Sequence, residues 1–151
     1  MIELIYLTIA LPLFGFLFNG TIGAKLKNEK LSGIVGSSVI GISFLIVVAA
    51  FFETLALPIN ERINFVTLFT WLDVAGLDLS FSYQVDQLSL VMSLIVTGVE
   101  FVIHVYLIGY MHGDKAVWRF FAYLNLFIFA MMNLVLADNF LLLFLGWEGV
   151  G

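Results

Sequence analysis

The chain has no cysteine among its 151 residues. That excludes a disulfide framework, a thiolate metal site and a cysteine nucleophile. Charge is scarce as well: Asp, Glu, Lys and Arg make up 11% of the residues, against roughly 25% in soluble domains. The two histidines share no ligand spacing, so no metal site is expected. The net charge of −5 comes from few groups and points to no nucleic-acid partner. No soluble domain, low-complexity linker or short-period repeat interrupts the chain.

What is present is apolar. Hydrophobic residues make up 62% of the chain and the mean hydropathy is +1.11, so an integral, all-α membrane protein in a lipid bilayer is expected. The opening M-I-E-L-I-Y lacks the basic start of a signal peptide and reads as a retained first helix. The spacing predicts spans over Ile2–Ala24, Leu31–Phe52, Gln87–Met111 and Phe120–Ala137. Pro12 is tolerated inside the first. In the second, Gly33, Gly36, Ser37, Ser38, Gly41 and Ser43 form a face for close helix packing. A fifth span begins at Asn139 and is cut short at Gly151.

Between the second and third spans the pattern changes. Pro58, Asn60, Glu61 and Arg62 break the apolar run, and Phe65–Leu72 is rich in β-branched and aromatic residues. Asp73–Gly76 can turn, and apolar and polar residues then alternate from Leu77 to Asp86. The pair predicts a β-hairpin at the membrane surface. Residues 1–86 then form a helix pair with its hairpin, and residues 87–151 the start of a bundle. Lys25, Lys27, Lys30, Lys115 and Arg119 fall on one side and Arg62 alone on the other. The positive-inside rule puts the N-terminus and the hairpin on the periplasmic side or its equivalent.

Three ionisable residues fall inside the spans. Glu148, in G-W-E-G-V-G, lies ~13–14 Å into a hydrocarbon core of ~30 Å. An intramembrane acid is costly and points to a proton or ion site. The glycines around it are expected to loosen the helix, as at transporter ion sites. The plainer alternative is a glutamate facing a water-filled crevice with no transport role. Glu100 and His104 are four apart and face the same way, either as a self-satisfied polar pair or as two steps of a proton relay. Asp138 precedes the fifth helix, where capping is the leading reading and proton exit the second. Asn125 and Asn133 share one helix face and are expected to hold neighbouring helices by hydrogen bonds. The aromatics read as lipid-facing bulk. No phosphate-cradling loop, dinucleotide fingerprint or Ser-His-Asp spacing occurs, so NADH, flavin and iron–sulfur clusters have no site here.

The runs R-F-F-A-Y-L-N-L-F (119–127), V-L-A-D-N (135–139) and L-G-W-E-G-V-G (145–151) resemble the L subunit, or chain 5, family of proton-pumping NADH-quinone oxidoreductases. F-V-I-H-V-Y (101–106), I-G-Y-M (108–111) and V-D-Q-L-S-L (85–90) fit the same family. The resemblance implies a distal, antiporter-like subunit of the complex I membrane arm, with two inverted five-helix repeats. It implies that Glu148 is the acid on the broken helix of the first repeat, paired with a lysine two helices later in redox-driven proton translocation. His104 stands where the family also has His. The other membrane-arm subunits are the implied partners, and NADH, flavin, clusters and quinone would bind elsewhere in the complex. The implied location is the bacterial cell membrane, or the mitochondrial inner membrane for an organellar chain. Glu100 and Gln87 depart from glycine, and Asn133 from an aliphatic residue, leaving divergence and relaxed selection both open. At 151 residues the partner lysine, the rest of the first repeat and the second repeat are missing, so a fragment is expected. Two alternatives stand beside this: a subunit of a multi-subunit cation/proton antiporter, and an inert membrane fragment.

Overall fold

The computed structural model describes the backbone of residues 2–151 and the side chains of 4–67, 75–76 and 82–151. The first helix opens as a 3-10 turn over Ile2–Tyr6 and continues as α1 (Leu7–Phe18). It then widens into a π-helix over Asn19–Gly23 and closes as α2 (Ala24–Leu26). Pro12 sits within α1. Lys27, left-handed at φ 50°, ends the run. The next helix, α3 (Glu29–Ala56), is capped by Asn28, whose side chain accepts from Leu31 N at 3.2 Å. At the far end of α3, Arg62 donates to the Leu57 and Leu55 carbonyls at 2.9 and 3.2 Å. Those are the carbonyls a helix end leaves without partners.

The expected hairpin is present as β1 (Asn64–Val74) and β2 (Leu77–Val85), antiparallel. Its turn is tighter than Asp73–Gly76. Only Ala75 and Gly76 lie between the strands, both at positive φ, as a two-residue hairpin turn requires. Two register shifts in β1 absorb its extra length. The alternation expected over Leu77–Phe81 lies outside the described side chains.

Two long helices follow: α4 (Gln87–Tyr110), opened by a capping box between Asp86 and Ser89, and α5 (Val117–Leu136). The chain ends in α6 (Phe140–Val150). Four helices, Leu4–Leu26, Glu29–Ala56, Gln87–Tyr110 and Val117–Leu136, are long and apolar enough to cross a membrane. They pack as one bundle, α3 against α4 and α1 against α3 and α5. The packing face expected on the second span is real, except that Ser38 is exposed. Gly41 receives the Phe101 ring of α4, and Gly98 receives the Phe44 ring of α3. About half of the described aromatics face outward as expected, the others are half-buried, and Phe121 and Tyr83 are buried.

The hairpin closes one end of the bundle. Tyr83 and Val85 join Ile5, Ala50 and Leu136 in the core, and Tyr83 pairs through its backbone with Ala137. The Tyr83 hydroxyl donates to Asn133 Oδ1 at 2.9 Å, and Asn133 Nδ2 donates to the Phe129 carbonyl at 2.9 Å. Burial pushes the Tyr83 phenol up to about 12, so it stays protonated and keeps donating. Asn133 therefore ties a strand to its helix and does not join two helices, as the sequence had led us to expect. The Tyr83→Phe variant leaves a buried acceptor unpaired and should lower stability by about 1–3 kcal/mol. Unfolding midpoints in detergent check this, and the double variant Tyr83→Phe/Asn133→Leu should recover part of the loss.

Candidate membrane-embedded acid and histidine sites

The inward face of α4 is a polar stripe. Ser93 Oγ donates to the Ser89 carbonyl at 2.7 Å, and Thr97 Oγ1 to the Ser93 carbonyl at 2.6 Å. Each hydroxyl is satisfied by its own helix, the usual solution for Ser and Thr in an apolar medium. His104 continues the stripe and is fully buried. Its Nδ1 lies 2.7 Å from the Glu100 carbonyl oxygen. A carbonyl only accepts, so Nδ1 carries the hydrogen. The neutral ring then presents the lone pair of Nε2, which has no hydrogen-bond partner among the described residues. The ring stands 5.9 Å from that of Phe121 on α5. Asn125, also on α5, lies within electrostatic reach of it, without a hydrogen bond of ordinary geometry.

The expected Glu100–His104 pair is therefore brought together, but mainly through the backbone. The Glu100 carboxylate oxygen Oε2 is 3.9 Å from Nδ1, and the Glu100 side chain is partly exposed. The imidazole hydrogen belongs first to the carbonyl, and the Glu100 carboxyl group lies beside it.

Glu148 is placed differently. Leu142 and Gly146 of α6 are buried, whereas Glu148 is exposed. A Cβ on Gly146 would meet Leu134 N of α5 at 2.6 Å, and one on Gly149 would meet the Ala130 Cβ at 2.7 Å. Only glycine allows this approach. The helix runs regularly through Val150, so the glycines serve close packing on α5 and do not loosen the helix as expected. Glu148 projects from the side of α6 turned away from α5. Among the described residues it has no ion-pair or hydrogen-bond partner, and it does not meet His104 or Glu100.

Asp138 is not the cap of α6. That role falls to Asn139, whose side chain accepts from Leu142 N at 2.8 Å. Asp138 instead accepts from Ser82 Oγ of β2 and from Asn139 Nδ2. It locks the hairpin to the elbow between α5 and α6. Asn125, expected to join helices, sets its side chain against His104 of α4, though neither amide atom meets ordinary hydrogen-bond geometry. Sequence reasoning passed over Asn19, buried in the π-helix, and Ser32, buried near the start of α3. The only signal for Asn19 was an amide among glycines, N-G-T-I-G, at the end of an otherwise apolar run. No group of His, Asp and Glu suited to a metal ion occurs among the described residues.

A family profile described as the N-terminus of NADH-ubiquinone oxidoreductase (complex I) chain 5 matches residues 71–121. The NADH-quinone oxidoreductase subunit L of Escherichia coli K12 is 44% identical over 149 residues, 99% of this chain and 24% of the relative. The chain matches the front of the subunit L and chain 5 family. NADH-ubiquinone oxidoreductase chain 5 of Allomyces macrogynus is 42% identical over 147 residues, 97% of this chain and 23% of its own length. Subunit L of Rickettsia bellii is 41% identical over 143 residues, 95% of this chain and 22% of its own. The chain thus spans about a quarter of the length of the subunit L relatives it matches.

The contact between α6 and α5 has a direct test. Gly146→Ala meets backbone that cannot step aside, and should cost about 1–3 kcal/mol. Gly109→Ala, in open space on α4, should be neutral or stabilising by up to ~1 kcal/mol. Thermal midpoints of the two variants compared with the parent decide it.

Proposed function

We propose that this chain forms the front of a membrane-arm subunit of an NADH-quinone oxidoreductase and takes part in redox-coupled proton translocation. The observation that carries the reading is the match along nearly the whole chain to subunit L relatives, at 41–44% identity for two bacterial ones. The geometry supports it. Glu148 stands on a short helix clamped to α5, with its carboxylate turned outward, where a cation on an adjoining element can reach it. A cation that moves or changes charge there would switch the acid between holding and releasing a proton. We assign His104 and Glu100 to a relay inside the bundle, since a histidine with one nitrogen donating and the other free can pass a proton through. Asp138, held by Ser82 and Asn139, is chiefly a structural tie, with proton exit a secondary role. The chain carries no redox chemistry in this reading. NADH, flavin, iron–sulfur clusters and quinone would be bound by other subunits, and the membrane-arm subunits would be its neighbours.

The assigned orientation puts the hairpin on the periplasmic face of a bacterial cell membrane, or on its mitochondrial equivalent. Five of the six basic residues lie at the opposite end of the bundle, which supports this by the positive-inside rule.

Glu148→Gln, introduced into a complete subunit carrying this segment, should reduce NADH-driven acidification of inverted vesicles to the background leak. Electron transfer from NADH to an artificial acceptor should persist. Unchanged acidification would refute the assignment of Glu148 as a proton site.

A further inference from the structure

Five buried polar side chains in the basic half of the bundle are left without full hydrogen bonding. Asn19 Oδ1, Ser32 Oγ, Ser37 Oγ, both amide atoms of Asn125 and His104 Nε2 make no hydrogen bond of ordinary geometry among the described residues. An unpaired buried polar atom costs about 1–3 kcal/mol, so this concentration is not a neutral accident of packing. The groups come from four different helical segments: the π-helix, α3, α5 and α4. Among Asn19, Ser32, Asn125 and His104, Asn125 is the innermost, and His104 lies level with Asn19 on the opposite helix. At ~1.5 Å per residue, Ser32, His104, Asn19 and Asn125 lie ~5, ~9, ~10 and ~12 Å from the basic ends of their helices.

Consecutive members are close. Asn19 Nδ2 donates to the Ser32 carbonyl at 3.3 Å. A Cβ on Gly36 would lie 3.4 Å from both Asn19 Nδ2 and Asn125 Nδ2, so the two amides flank one glycine. Asn125 in turn neighbours the His104 ring. At the outer end, Ser32 lines an open groove with Lys27, Glu29, Asp114, Lys115 and Trp118. The widened turn at Asn19 is itself a departure from regular helix of the kind that often marks a functional position.

We propose that Ser32, Asn19, Asn125 and His104 hold a file of bound water that opens at the Lys27–Asp114 groove and ends on the His104 imidazole. Water suits these groups because each molecule can make two to four hydrogen bonds, and the orphaned atoms include both donors and acceptors. Gly36 carries no side chain between the two amides, and the Phe121 ring borders the same place, 3.0 Å from where a Cβ would lie. A proton arriving along the file adds to Nε2, the nitrogen whose lone pair is free. The role of the file rests on the relay assigned to His104, but the presence of water does not.

The cysteine-free chain allows a test independent of pumping. Single variants Ser32→Cys, Asn19→Cys, Asn125→Cys and, as a dry control on the same helix as Asn125, Ile128→Cys are placed in lipid vesicles and exposed to silver ion. Thiolate formation needs water, so the three file positions should be modified about tenfold or more faster than Ile128→Cys. Adding Gly36→Val should slow the reaction at Asn125→Cys and leave Ser32→Cys unchanged. Modification of Asn125→Cys no faster than the control would overturn the proposal. In the unsubstituted chain, magnetisation transfer from water to the Asn125 side-chain amide is the second readout, expected to be present; its absence would overturn the proposal equally. Water without any effect of His104→Leu on pumping would keep the file and remove the relay.

Discussion

A polar group inside an apolar bundle has no bulk solvent to fall back on. Helical backbone meets that constraint by itself, and most side chains here follow suit. Thr8, Ser43, Ser93 and Thr97 each return their hydroxyl to a carbonyl of their own helix three or four residues earlier. At the hairpin end Tyr83 pairs with Asn133 and Ser82 with Asp138 across elements, and Thr54 Oγ1 is the exception. Because this accounting closes over so much of the molecule, the places where it fails carry information. Most of them gather around Asn19, Ser32, Asn125 and His104.

The spans were legible because apolar length is a one-dimensional property. Their observed ends fall within a few residues of those expected, apart from α3, which runs on past Glu53 to Ala56. The hairpin was legible from its alternation and turn. Less visible was everything that depends on which helix lies opposite. Gly146 and Gly149 look in sequence like residues that weaken a helix, and only the backbone of α5 beside them shows that they permit contact. Asp138 and Asn139 are both plausible caps, and the choice between them follows from Ser82, over fifty residues away. The π-helix at Asn19 has no periodicity of its own to announce it.

For the candidate site, the residue types were evident and their grouping was not. Glu100, His104 and Glu148 stood out as ionisable residues in apolar runs. The structure separates them into two places. His104 is buried in the bundle with its Nδ1 hydrogen held by the Glu100 carbonyl, while Glu148 faces out from α6. A proton route using both must therefore be completed by elements other than the ones that bring His104 to Asn125. The resemblance to the front quarter of subunit L fits such an arrangement, in which this segment offers an outward acid and keeps an inward histidine.

The central claim is that His104 is a neutral imidazole with its hydrogen on Nδ1 and a water-accessible lone pair on Nε2. Nitrogen-15 solid-state NMR of the chain in lipid bilayers tests it directly, because there are only two histidines to assign. The account predicts a protonated Nδ1, a deprotonated Nε2 and a water cross-peak to the His104 ring. A hydrogen on Nε2 with Nδ1 bare, or a ring with no contact to water, would contradict it.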